Sequence, residues 1–189
     1  MRGLVLASLG LSACSPALDW RTVRPRPGSS LKVLFPCKPD RLERSLQLPG
    51  LPGPPVVVHL LSCKAHDTTW ALSYLEAGEV TRVSTALAAM TQALRDNLNA
   101  AAPQAVVADD LGPVQVPGMT PQALAKHWRF RGQLPVEGGR MAPLEVQSWH
   151  FAHGLTVYQA SVWRHLPPAS VKEHADAVET FAAGLNFSD

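Results

Sequence analysis

The hydrophobic period of this chain changes at Thr81, and that change limits the folds open to it. Between Leu31 and Leu75 apolar residues come in short runs or at alternate positions, the period of β-strands. After Gly78, Val83, Leu87, Met90, Leu94 and Leu98 follow at steps of four, three, four and four. This is the stripe of an amphipathic helix ending near Asn99. Small residues from Ala86 to Ala89 let such a helix come close to a sheet. Strand-like pieces return after Pro103.

The strands can be placed individually. Leu31–Phe35 stops at Pro36, and Arg41–Leu48 puts Leu42, Leu46 and Leu48 on one face before the turn Pro49-Gly50. Pro55–Cys63 is β-branched and almost uninterrupted, which predicts a strand covered on both faces, with His59 as a satisfied core residue. Thr68–Leu75 follows the turn at His66-Asp67 and carries Trp70, Leu72 and Tyr74 on one side. Beyond the helix come Ala105–Ala108, Leu124–Leu134, Leu144–Phe151 and Leu155–Leu166, the last two joined by a turn at Gly154. Ser170-Val171-Lys172-Glu173 has the form of a capping box, opening a helix with the stripe Val171, Ala175, Val178, Ala182 and Leu185. No internal repeat is visible. At 189 residues the chain suits one core-bearing domain, not two. The economical arrangement is α+β: an antiparallel sheet packed against two long helices, in one domain from residue 31 to residue 189.

The first thirteen residues are of another kind. Met1-Arg2-Gly3 is a short positive start, and Leu4–Gly10 is an apolar segment too short to cross a bilayer, as in a cleaved leader. Leu11-Ser12-Ala13-Cys14 then resembles the lipobox of bacterial lipoproteins at every position. The resemblance implies a signal peptide over 1–13, acylation of Cys14 and anchorage to the membrane through covalent lipid. Two or three acyl chains hold a protein stably, at about 0.8 kcal/mol per buried methylene. Ser15, where inner-membrane retention in enterobacterial lipoproteins usually has Asp, implies a periplasm-facing protein of the outer rather than the inner membrane. An ordinary secretory leader and a cytoplasmic protein are the other readings. Residues 14–30, rich in Pro, Arg, Gly and Ser, read as a lipidated tether with Trp20 as a docking point.

Three cysteines are an awkward number in an oxidising compartment, and lipid on Cys14 removes the oddity. Cys37 and Cys63 remain, at the ends of two expected strands. A structural disulfide is favoured over two buried thiols or a metal or redox pair, because no Cys-x-x-Cys or His-rich spacing accompanies them. The turn Phe35-Pro36-Cys37-Lys38-Pro39 and the aromatic end from Phe181 to Phe187 resemble the PsbP-like group. That resemblance implies an accessory or assembly role without a common chemistry.

A net charge of +2 with 17% charged residues does not select nucleic acid as a partner. Walker, dinucleotide-binding and His-Glu-x-x-His patterns are absent from the sequence, and no cofactor is expected. Ser148 with His150, and Ser161 with His165, lack the elbow that exposes a hydrolase nucleophile. His127-Trp128-Arg129-Phe130-Arg131 alternates basic and aromatic residues, so His127, Arg129 and Arg131 form a candidate contact surface on a strand whose other face is core. The leading expectation is a non-catalytic, lipid-anchored accessory or binding module with an envelope protein as partner. Its rival is a periplasmic hydrolase or metal-binding enzyme using His150, His153 or Asp109.

Overall fold

The computed structural model describes residues 18–102, 104–165 and 171–188. Cys14, the leader before it and Ser170 of the capping box lie outside the described residues. In chain order the elements are β1 (Arg21–Val23), β2 (Leu31–Phe35), β3 (Asp40–Leu46), β4 (Val56–Ala65), β5 (Thr68–Glu76), α1 (Val80–Ala101), β6 (Val107–Pro113), β7 (Lys126–Pro135), β8 (Met141–His153), β9 (Thr156–His165), α2 (Val171–Ala183) and β10 (Asn186–Phe187). Seven strands form one antiparallel sheet in the order β3-β4-β5-β9-β8-β7-β6, and β1-β2-β10 form a second. The large sheet is two meanders, β3 to β5 and β6 to β9, joined where β9 pairs with β5. Helix α1 is the long connection between them.

Each face of the large sheet has its own cover. The five-residue stripe expected for α1 is buried in full, and buried Ala86 and Ala89 beside it let the helix lie close. Its first half packs on Leu75, Ala152 and Val157, and Leu94 and Leu98 pack on Phe130, Leu144 and Val146. On the opposite face β2 alternates strictly, burying Leu31, Val33 and Phe35. Phe181 of α2 reaches Phe35 and Trp70 at ring distances of 5.6 and 5.3 Å. The expected α2 stripe is turned: Ala175 is exposed, whereas Ala177, Val178, Phe181 and Leu185 are buried. Gly184 follows α2 where a Cβ would collide with that of Leu34, so the absent side chain sets how closely helix and small sheet approach.

The expected fold class is therefore corrected. The protein is mostly β, with two antiparallel sheets and only two helices, not a sheet packed on two long helices. The second cover is shared between a 13-residue helix and the small sheet. Two strands of that sheet, of three and two residues, are too short for a period of two to register in sequence.

Residues 18–30, assigned to the tether from sequence, carry β1 and are held against the domain. Trp20 meets Trp70 edge-on at 6.0 Å, and Asp19 N–H donates to Pro36 O at 2.9 Å. The arginines of this stretch are engaged locally: Arg24 donates to Ser29 O, Arg21 pairs with Asp19, and Arg26 pairs with Glu76 at 3.0 Å. Arg41 donates to the carbonyls of Pro25 and Arg24. Cys37 and Cys63 form a disulfide that ties the end of β2 to β4, with Cα atoms 6.0 Å apart.

Candidate binding groove

Helix α1 does not cover the whole of its face. Alternation places Leu42, Arg44 and Leu46 of β3, Val58, Leu60, Ser62 and Lys64 of β4, and Thr69, Ala71 and Ser73 of β5 on the α1 side. Gln159, Ser161, Trp163 and His165 of β9 continue the surface beneath the helix. Between them and Met90, Ala93, Leu94 and Asn97 of α1 lies an open groove of about 650 Å³. Volumes of this size are those of small-molecule sites.

The register builds its lining in cross-strand rows. Leu42, Leu60, Ser73 and Gln159 form one row, Ser62, Ala71 and Ser161 the next, and Lys64, Thr69 and Trp163 a third. Small side chains in the middle row make the floor. Leu42 and Leu46, on the edge strand, remain 49% and 41% exposed, so the groove has an aliphatic wall facing water. Gln159 and Ser161 are buried beneath it, and Ser161 Oγ accepts from Trp163 Nε1–H at 3.0 Å. Arg44 and Lys64 make no ion pair among the described residues, although Asp67 shares the groove rim with Lys64. His165 Nδ1 is buried without a hydrogen-bond partner among the described residues.

Sequence reasoning missed this groove. The apolar run of β4 was expected to be covered on both faces, yet most of the strand is only half-buried. The helix count was the available signal: with α1 committed to β7–β9 and Leu75 of β5, no helix remained to cover Leu42 and Leu46 on the edge strand. His59 is correspondingly no core residue. It stacks on Tyr74 at 4.6 Å and lies 3.4 Å from Glu43, on the face away from the groove.

The basic-aromatic candidates lie on that same opposite face. His127 stacks on Trp149 at 4.6 Å and meets Gln147 Oε1 at 3.2 Å; burial pushes its imidazole below the ordinary histidine range. Arg129 and Arg131 both donate to Asp109, at 3.3 and 2.9 Å. One carboxylate thus offsets two guanidinium charges, and the strand face is less basic than its sequence. Lys126 similarly donates to Asp110 at 2.9 Å, a bond that holds the Asp110 carboxyl below its usual range.

The groups named for a catalytic rival are dispersed. His150 is fully buried under α1, with Nδ1 3.1 Å from Thr91 Oγ1 and Nε2 3.0 Å from Ser148 Oγ. Thr91 donates its hydroxyl to Leu87 O, so it accepts from Nδ1–H, and Ser148 donates to Nε2. Burial keeps this imidazole neutral, its pKa pushed down to about 3. The Ser148–His150 pair has nucleophile-like geometry but no access, since both residues have no exposed surface. His153 stacks on Phe187 at the far end of β8 and donates to Gly118 O at 2.8 Å, while Asp109 is occupied on β6. Ser161 bonds Trp163, not His165. Among the described residues no three His, Cys, Asp or Glu side chains gather as a metal site, and no helix is long and apolar enough to cross a membrane. No family model matches the chain, and no curated protein matches it in sequence.

Proposed function

We propose that this chain is a bacterial cell-envelope lipoprotein whose folded domain is a non-catalytic binding module, acting through the groove between α1 and the β3 edge. The observation that carries the reading is the exposed aliphatic wall of Leu42 and Leu46 above a floor of small, polar side chains. Concave, largely apolar clefts with a few polar groups are the usual form of a ligand site. The dispersal of His150, His153 and Asp109 supports binding over the catalytic rival.

The lipobox ending at Cys14 supports an acyl anchor facing the periplasm, in the outer membrane by the identity of Ser15. The disulfide adds to that: disulfides persist in oxidising compartments, and pairing Cys37 with Cys63 leaves Cys14 as the remaining cysteine. The test of the anchor is the intact mass of the protein purified from membranes, beside a Cys14→Ala variant. The mass of diacylglycerol plus an N-acyl chain, lost in the variant, is the expected result. An unmodified thiol at Cys14 would overturn the anchor.

A further inference from the structure

The groove has a polar end and an apolar end. Lys64, Thr69 and His165 stand at the end near the β4–β5 turn, with Asn97 of α1 above them. Leu42, Leu46, Val58 and Met90 stand toward the other end, with exposed Arg44 between Leu42 and Leu46 on the same face of β3. Lys64 has no ion pair and His165 Nδ1 no hydrogen bond among the described residues, so this end holds a cation and a polar nitrogen in want of partners; Asp67 on the same rim is the one opposing charge.

The first described residues pack near this end of the sheet, on the face opposite the groove. Cys63 precedes Lys64 and is bonded to Cys37, and Trp70, which follows Thr69, packs on Trp20. Leu18 packs against the same core. Only four positions separate Leu18 from Cys14, a span of at most about 14 Å even when fully extended. An acylated Cys14 would lie within about 14 Å of Leu18, which holds the domain close to the bilayer surface.

From the lysine-bearing end, the aliphatic wall and the short reach to Cys14 we infer that the groove takes a single-chain anionic amphiphile drawn from the membrane, a lysophospholipid. Its head group meets Lys64 and His165, its polar linkage lies over Ser62 and Thr69, and its acyl chain runs along Leu60 to Leu42 and Leu46. The inference rests on the binding-module reading and assigns that module its ligand class. A groove of about 650 Å³ suits one acyl tail and not a folded partner.

The experiment titrates full-length protein carrying Cys14→Ser, and the native acylated protein, with palmitoyl lysophosphatidylglycerol below its micelle concentration. Binding is read by calorimetry and native mass spectrometry. One ligand per chain is expected in both proteins. Leu42→Asp, at an exposed wall position, weakens binding by at least about tenfold through lost apolar contact. Lys64→Glu weakens it by about three- to tenfold for this anionic lipid and much less for the zwitterionic lysophosphatidylcholine. Melting temperatures of both variants report that they remain folded.

Absence of saturable binding, or equal binding by Leu42→Asp, would overturn the proposal. Binding by the Cys14→Ser protein alone would also overturn it, because the protein's own acyl chain would then be the occupant. A photo-crosslinker at position 42 separates this failure from that of the broader reading. A protein adduct without lipid binding discards the lipid and keeps the binding module; no adduct of either kind discards both.

Discussion

Ser148 Oγ lies 3.0 Å from Nε2 of His150 in a place that water does not reach, two residues apart on one face of β8 and sealed by α1. The pair is structural, and its consequence is a pH dependence. The folded protein keeps His150 neutral down to about 3, whereas an unfolded histidine takes up a proton near 6.5. As pH falls through that window the unfolded state binds the proton first, so stability present above about 6.5 is lost toward about 3. Half-buried His127 acts in the same direction. The loss attributable to one such histidine approaches about 1.4 kcal/mol per pH unit. Urea unfolding at pH 7.0, 6.0 and 5.0, values chosen above most carboxylate titrations on the order of pH 4, should show this slope. His150→Gln should flatten it by one proton, even though the variant itself is less stable.

Reducing the Cys37–Cys63 bond should destabilise the domain without changing its fold class. In the chain-entropy account a loop closed across 26 positions is worth about 3.5 kcal/mol. Denaturation with and without a thiol reductant measures the difference, and a Cys37→Ser, Cys63→Ser double variant should match the reduced protein.

Gly184→Ala should cost about 1–3 kcal/mol, because the new methyl group meets the Cβ of Leu34 and the backbone of β2 must give way. Gly154→Ala offers the contrast. Its added Cβ meets nothing within 4 Å, so its cost is confined to the backbone at φ +57°, about 1 kcal/mol. Thermal melts of the two variants would separate collision from backbone strain.

Leu42→Asp should leave stability within about 0.5 kcal/mol of the parent, since the side chain is half exposed on an edge strand. Leu72→Asp, two strands inward with no exposed surface on the opposite face, should prevent folding. The pair tests whether the Leu42 wall contributes to a function other than holding the domain together.

The strands and α1 were legible because their periods are long and clean: β2 occupies its expected bounds, Leu31–Phe35, and the α1 stripe is buried residue for residue. Disulfide pairing was legible from cysteine number and the compartment expected from the lipobox resemblance. The small sheet was not, since Arg21–Val23 and Asn186–Phe187 become strands only by pairing with β2. Nor was the groove. An apolar run such as Val56–Leu61 looks the same whether its second face meets a helix or an open trough, and only the placement of α1 decides between them. His127, Arg129 and Arg131 show the complementary limit: their alternation placed them on one face, but Asp109, from a neighbouring strand, determines how much charge that face presents.

The central claim is that the domain binds through the groove while anchored at the membrane. The direct measurement is photo-crosslinking in intact envelopes, comparing a photoreactive residue at position 42 in the groove wall with one at position 131 on the opposite face. The account predicts a discrete adduct from position 42 that Lys64→Glu diminishes, and none of comparable yield from position 131. Equal adducts from both positions, or none from position 42, would contradict it.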